Sequence, residues 1–336
     1  MSTDSSPGAP RVRGGFRNNH PHEEHGLVDA LRWAWRRRGL RVESIAFPLA
    51  DNDPAALAAN RTRPSLTWVG HSTFLLQLGG FNLLTDPQFS DRASPVSWAG
   101  PPRTTPPGLA LEDLPPLDVV LLSHTHYDHL DAPSLERLVA HGKVGSAVFF
   151  VPLGVGAVLR RLGIEAEIVE LDWWQRRAHR GLALDAVPAQ HFSARTPFDR
   201  NRTLWAGWVI EHSGRRVYFA GDSGYSPDFQ EIRRRLGAMD LSLLPIGAYD
   251  PRWFMRPVHT NPEEAVRIHR ELESRRSVAM HWGTFILTDE PMDEPPRRLA
   301  EAMRAAGRPE DEFRALLHGE TLWLDDLLGP AVQDPI

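Results

Sequence analysis

From residue 66 onward the chain alternates short apolar runs with polar turns. The runs are LTWVG (66–70), TFLLQL (73–78), FNLLT (81–85), DVVLL (118–122), AVFFVP (147–152), EIVEL (167–171) and LALDAVP (182–188). LWAGWVIEH (204–212), RRVYFAG (215–221), DLSLLP (240–245), SVAMH (277–281) and TLWL (321–324) continue the series. Their length and their β-branched and aromatic content predict strands. Apolar residues at helical spacing predict helices over 134–140, 154–162, 228–236, 261–274 and 295–306. The fourth has a well-formed start: Asn261 can cap, Pro262 fits the first turn, and Glu263 and Glu264 suit the positive end of the helix dipole. Strands interleaved with helices predict a mixed α/β layer protein. No internal repeat is visible.

Upstream the texture differs. Residues 1–25 are rich in Ser, Gly, Pro, Asn and His and read as flexible. Residues 26–40, GLVDALRWAWRRRGL, have helical spacing. Leu27, Leu31, Ala34 and Trp35 share a face, with Arg32 and Arg36–Arg38 crowded elsewhere. Such a basic amphipathic helix either packs on its own domain or lies on an anionic membrane.

Composition narrows the class. Of 336 residues, 41% are hydrophobic and 24% charged, the profile of a soluble globular protein. No segment approaches roughly 20 uninterrupted apolar residues, so no transmembrane helix is expected. The first residues lack an apolar signal core, which predicts a cytoplasmic protein or one peripheral to the inner membrane face. With no cysteine, any metal must be held by His, Asp or Glu. The net charge of −5 argues against a nucleic-acid partner. Lys143 is the only lysine, a bias that codon usage in a GC-rich genome explains.

The chemistry concentrates in LLSHTHYDHLDAP, residues 121–133. The strand DVVLL delivers the chain to a loop holding His124, His126, Asp128 and His129. Residues two apart in an extended segment point the same way, so His124 and His126 can face one metal, with Asp128 on the same parity. Four such side chains can supply two adjacent metals. Three later runs also end in a metal-binding type of residue: His191 in VPAQHFS, Asp222 in VYFAGDSGY and His281 in SVAMHWGTF.

H-x-H-x-D-H followed by a His, an Asp and a His resembles the metallo-β-lactamase fold superfamily. That resemblance implies a four-layer αββα sandwich with a two-metal centre at one edge. It assigns His124, His126 and His191 to one metal and Asp128, His129 and His281 to the other. Asp222 bridges them together with a water or hydroxide. LTWVGHSTFLLQ, LLTDPQFSDRASP, DAPSLERL, ELDWWQ, FAGDSGYSPDF, LPIGAYDPRWFM, HTNPEEAVRIH and MHWGTF look like the N-acyl phosphatidylethanolamine-hydrolysing phospholipase D family. The similarity runs from about Thr67 to about Gly319, and GGFRNNHP near the start is reminiscent of it.

The resemblance implies two zinc ions and attack by the bridging hydroxide on a phosphodiester, with Asp128 and Asp222 orienting it. Products would be phosphatidic acid and an N-acylethanolamine, with a phospholipid as substrate and a homodimer as the assembly. The expected organisation is an N-terminal extension over 1–60, with its helix at 26–39, and a catalytic domain over 61–336.

Other residues are open. Asp86 either accepts a hydrogen bond from a ligand histidine or is a turn residue before Pro87. His71 either supports the site or packs at a strand end. His259 either gives a proton or hydrogen bond to the substrate or begins a helix. Tyr249, Arg252, Trp253 and Phe254 either meet the lipid or pack in the core. A lactonase or cyclic phosphodiesterase on the same scaffold is the alternative enzyme, and a membrane-binding scaffold the alternative without catalysis.

Overall fold

The computed structural model describes residues 8–329. Among them every apolar run named above contains a strand. Two seven-stranded sheets result. The first runs, in spatial order, Thr321–Trp323, Ser65–Gly70, Thr73–Leu78, Phe81–Thr85, Val119–Leu121, Val148–Pro152 and Glu167–Leu171. The second runs Phe313–Arg314, Arg276–Met280, Leu241–Pro245, Arg215–Phe219, Gly207–His212, Leu182–Val187 and Arg176–His179.

The first sheet is apolar on both faces, and alternation sorts its residues. Trp68, Phe74, Leu76, Leu83, Val119, Leu121 and Phe150 join the core shared with the second sheet. Val69, Leu75, Leu84, Val120, Phe149 and Val151 join a separate core with Leu135, Leu138, Val155 and Leu159. Those last four come from the helices Ala132–Ala140 and Val155–Arg161, which cover the outer face. Strands buried on both sides read as continuous apolar runs, as here.

The second sheet is sandwiched likewise. Trp208 donates its indole N–H to Leu122 O of the first sheet, at 2.9 Å. On the opposite face Tyr218 meets Phe229 of the helix Asp228–Leu236 edge-on, at 6.5 Å. The helices Pro262–Glu271 and Glu294–Ala305 pack beside it. The order is therefore helix, sheet, sheet, helix: the αββα sandwich. Asn261 caps Pro262–Glu271, accepting from Glu264 N at 2.9 Å.

The structure differs from the sequence reading at several points. Arg176–His179 is a strand without an apolar pattern; it lies at a sheet edge, mostly exposed. The short helices Pro54–Ala59, Arg252–Met255 and Leu324–Leu328 are additions. Residues 8–25 are held against the body, not loose: Ala9 and Phe16 are buried, and Phe16 N donates to Asn201 O at 2.9 Å. The same expectation for residues 1–7 lies outside the described residues. In the helix Leu27–Arg36 the residues Leu31, Ala34 and Trp35 of the expected apolar face turn outward, Leu31 and Trp35 exposed at 60% and 68%, as is neighbouring Val28 at 78%; the side chain of Leu27 is not among those described. Trp33 and Arg37 face the body instead. Trp33 Nε1 donates to Asp289 Oδ2 at 2.8 Å, and Arg37 Nη2 to Thr288 O at 2.8 Å. No helix among the described residues is long and apolar enough to cross a membrane.

Candidate metal centre

Six strands from both sheets end at one edge of the sandwich. The chain leaves Ser65–Gly70 for His71, Phe81–Thr85 for Asp86, and Val119–Leu121 for the loop with His124, His126, Asp128 and His129. From the second sheet it leaves Leu182–Val187 for His191, Arg215–Phe219 for Asp222, and Arg276–Met280 for His281. His71, Asp86 and His281 each take a left-handed backbone, with φ of 51°, 31° and 61°. Such strain persists only where the surroundings hold it. The first loop is stapled by Arg195, whose Nη1 donates to Thr125 O and Leu130 O at 2.9 and 2.8 Å.

The structure brings together all seven residues singled out in the sequence, in two clusters. In one, His126 Nδ1 stands 2.8 Å from His124 Nε2 and 3.2 Å from His191 Nε2. In the other, Asp128 Oδ2 lies 3.5 Å from His129 Nε2 and 3.3 Å from His281 Nε2. Asp222 Oδ2 touches both: it is 3.1 Å from His129 Nε2, 3.1 Å from His281 Nε2 and 3.7 Å from His191 Nε2. Donors about 2.1 Å from one tetrahedral ion stand about 3.4 Å apart, so these separations fit cation sites.

The outer hydrogen bonds say which nitrogens are bare. Asp86 accepts from Ser123 N at 2.7 Å, from Ser123 Oγ at 2.5 Å and from His129 Nδ1 at 2.7 Å. Ser123 has spent its hydrogen on Asp86, so His124 Nδ1 must donate to Ser123 Oγ, at 2.9 Å. His191 Nδ1 donates to Val258 O at 2.9 Å. The inner nitrogens of His124 and His191 therefore turn lone pairs toward one another. A cation between them satisfies these lone pairs, as does a hydrogen on His126 Nδ1, which stands 2.8 and 3.2 Å away.

The charge balance agrees. Burial pushes His124 and His191 well below the ordinary imidazole range and His126 down to about 4, so this cluster stays neutral. Burial also disfavours charge on His129 and His281. There Asp222 and Asp128 outweigh it, raising His129 well above its usual value and His281 to about 9. The buried Asp222 and the largely covered Asp128 thus favour positive charge beside them. His129 Nε2 and Asp222 Oδ1 remain without a well-aligned hydrogen-bond partner. The donor set fits divalent ions.

The sequence over residues 81–282 matches the family described as the beta-lactamase superfamily domain. N-acyl-phosphatidylethanolamine-hydrolyzing phospholipase D 1 of Caenorhabditis elegans is 42% identical over 249 residues, 71% of this chain and 69% of its own. The chain belongs to that family of metal-dependent hydrolases. An uncharacterized protein of Mycobacterium tuberculosis is 45% identical over 269 residues, 79% of this chain and 70% of its own. Among solved structures, Igni18, a metallo hydrolase of Ignicoccus hospitalis, superimposes with a TM-score of 0.58 at 24% identity. It covers 78% of this chain and 98% of that one.

In this family member the two clusters open into a cavity of about 290 Å³. His126, Asp128, His191, Asp222 and His259 line its floor; Trp33, Phe254, Met255 and Leu287 line an apolar side. Arg17, Asn18 and residues 22–25 reach it from the N-terminal segment.

The remaining residues separate cleanly. Asp86 fixes the orientation of His129, as above. His71 Nε2 sits 3.1 Å from Asp128 Oδ2, within reach of the second cluster. His259 is in the cavity, with Nδ1 4.0 Å from Asp222 Oδ2. Of the four residues read as meeting the lipid or packing, Tyr249, Arg252 and Trp253 are not among those lining the cavity, and Phe254 is. Tyr249 is buried and donates to Glu294 Oε1 at 2.7 Å. Arg252 pairs with Glu264 at 2.7 Å and supports His259 through its carbonyl, at 2.9 Å. Trp253 points outward under Arg32 and Arg36, whose guanidinium carbons lie 5.4 and 5.5 Å from its ring. The next two residues, Phe254 and Met255, enter the cavity instead, because the helix Arg252–Met255 turns that side inward. Asn18, Trp33, Phe192 and Leu287 were not expected there. The GGFRNNHP stretch was the one available signal for Asn18.

Proposed function

We propose that the protein is a zinc-dependent phosphodiesterase of the phospholipase D type. Its substrate is N-acyl phosphatidylethanolamine or a related phospholipid, and its products are phosphatidic acid and an N-acylethanolamine. The observation that carries the reading is the meeting of two donor clusters at Asp222, on the floor of a cavity with an apolar side.

In this reading His124, His126 and His191 hold one ion, Asp128, His129 and His281 hold the second, and Asp222 reaches both. Zinc suits imidazole and carboxylate donors. A bound pair of ions acidifies a water and offsets charge on phosphoryl oxygens. Asp128 and Asp222 accept hydrogens from the attacking water and so aim it. Asp86 keeps the His129 hydrogen on Nδ1 and its Nε2 free. Burial lowers His259 to about 4, so its ring is neutral near pH 7. It then donates a hydrogen bond to a phosphoryl or leaving oxygen. Trp33, Phe254, Met255 and Leu287 exclude water and receive the acyl chain. That side favours a lipid over the small polar substrate of a lactonase or cyclic phosphodiesterase. The exposed Val28, Leu31 and Trp35, with Arg32 and Arg36 nearby, suit contact with an anionic lipid surface.

The test incubates zinc-loaded protein with N-acyl phosphatidylethanolamine and follows products by mass spectrometry, against a His124→Ala control. Phosphatidic acid above the control supports the reading. Turnover of lactones or cyclic phosphodiesters, with none of the lipid, replaces it with the alternative.

A further inference from the structure

The strap formed by residues 8–25 is fastened at points spread along its length. Ala9 N donates to Asp172 Oδ1 at 2.9 Å, Phe16 N to Asn201 O at 2.9 Å, and Asn19 Nδ2 to Asp228 Oδ1 at 2.8 Å. At Gly15 the approach is so close that a Cβ would stand 2.2 Å from Asn201 O. Only glycine fits there without moving backbone.

Between these anchors Asn18 is buried, 8% exposed, and its amide engages His191 in both directions. Asn18 Nδ2 donates to His191 O at 2.9 Å, and Asn18 Oδ1 accepts from His191 N at 3.1 Å. That reciprocal pair is what a neighbouring strand residue gives in an antiparallel ladder, here supplied by one side chain. Asn18 Oδ1 also accepts from Trp205 Nε1 at 3.0 Å, so the amide is itself held in place. With His191 Nδ1 tied to Val258 O, the ring and both backbone groups of His191 are fixed. Two of those three restraints come from a residue 173 positions away. A strap that merely filled surface would have no need to meet the backbone of a cation-facing histidine.

We infer that the N-terminal strap is a working part of the metal centre and that Asn18 is the positioning residue through which it holds His191. The inference rests on His191 being a metal ligand, but not on the lipid substrate. The boundary drawn at residue 61 therefore divides one functional unit.

The test uses full-length Asn18→Ala, Asn18→Asp, Asn19→Ala and His191→Ala proteins and needs no substrate. Zinc affinity is read by competition with a chromophoric chelator, and ligand geometry by the visible spectrum of the cobalt-substituted proteins. Asn18→Ala is expected to weaken zinc binding about 10–100-fold and to shift the cobalt spectrum. Asn18→Asp keeps the acceptor for His191 N but sets a carboxylate against His191 O, and weakens binding by a smaller factor. Asn19→Ala, on the same strap but bonded only to Asp228, binds like the parent. Parental affinity and spectrum in Asn18→Ala overturn the inference, as does equal damage from Asn19→Ala. If Asn18→Ala fails to fold, parental affinity in Asn18→Asp overturns it. Retention of full affinity by His191→Ala instead brings down the metal-centre reading itself.

Discussion

The floor of the cavity is made of groups that suit a cation; its roof is made of groups at home in any protein. On the floor His124 Nε2 and His126 Nδ1 stand 2.8 Å apart, and two carboxylates, one buried and one nearly so, lie beside five imidazoles. On the roof Trp33 stacks on Phe254 with ring centroids 5.3 Å apart, and His25 tilts against the same ring at 5.0 Å. The floor is rigid, at the ends of six strands. The roof hangs from hydrogen bonds such as that between Trp33 and Asp289. Chemistry belongs to the first and choice of substrate to the second, and the two should fail differently when altered.

The sharpest break comes at Asp222. Asp222→Asn should drop turnover to that of metal-stripped protein and lower bound metal in elemental analysis. Parental turnover would mean that the floor does not need a shared carboxylate. Asp86→Asn comes next. It places an amide N–H against groups that already donate, so His129 loses its orientation and activity should fall about 10–100-fold. Steady-state rates measured with saturating zinc decide this, and full activity would reduce Asp86 to a turn residue.

Changes to the roof should be milder and of another kind. Phe254→Ala should raise KM for a long-chain substrate by about tenfold, since burying such a ring contributes ~1.5–3 kcal/mol. Its kcat should hold, and a fall in kcat with KM unchanged would move Phe254 to the chemical side of the comparison. The smallest effect belongs to the outer helix face. Leu31→Ser with Trp35→Ser should weaken sedimentation with anionic vesicles while leaving turnover of a short, dispersed substrate within about twofold. Unchanged vesicle binding would make that face ordinary surface.

The same contrast explains what could be read beforehand. His and Asp at two-residue spacing beyond an apolar strand carry their chemistry in their residue types. The first loop was therefore legible from its residues, whereas the αββα sandwich and the complete set of seven came through the resemblance to the metallo-β-lactamase superfamily; the runs alone gave a mixed α/β layer protein. Asn18 lies in a polar stretch that only the family-like GGFRNNHP pattern marks; its role exists only once His191 and Trp205 arrive beside it. For the helix Leu27–Arg36 apolar spacing left packing and a membrane surface both open. Leu31 and Trp35 stay exposed, and Arg37 meets Asp289 Oδ1 at 3.0 Å on the side that faces the body. Arg176–His179 escaped because an exposed edge strand needs no apolar alternation. In AYDPRWFM the aromatic character was evident, yet which ring enters the cavity depends on the turn of a four-residue helix.

The long reach from Asn18 to His281 also orders events while the chain is being made. The strap leaves the ribosome before the rest of the site and then waits for 281 − 18 = 263 further residues before the last of the convergent side chains exists. At about 5–20 residues per second that delay is between about 13 and 53 s. His124, His126 and His129 emerge together well before their distant companions, so the nascent protein offers only a fragment of a trap for cations. The complete set of donors thus exists only after His281 has been added, long after the strap was made.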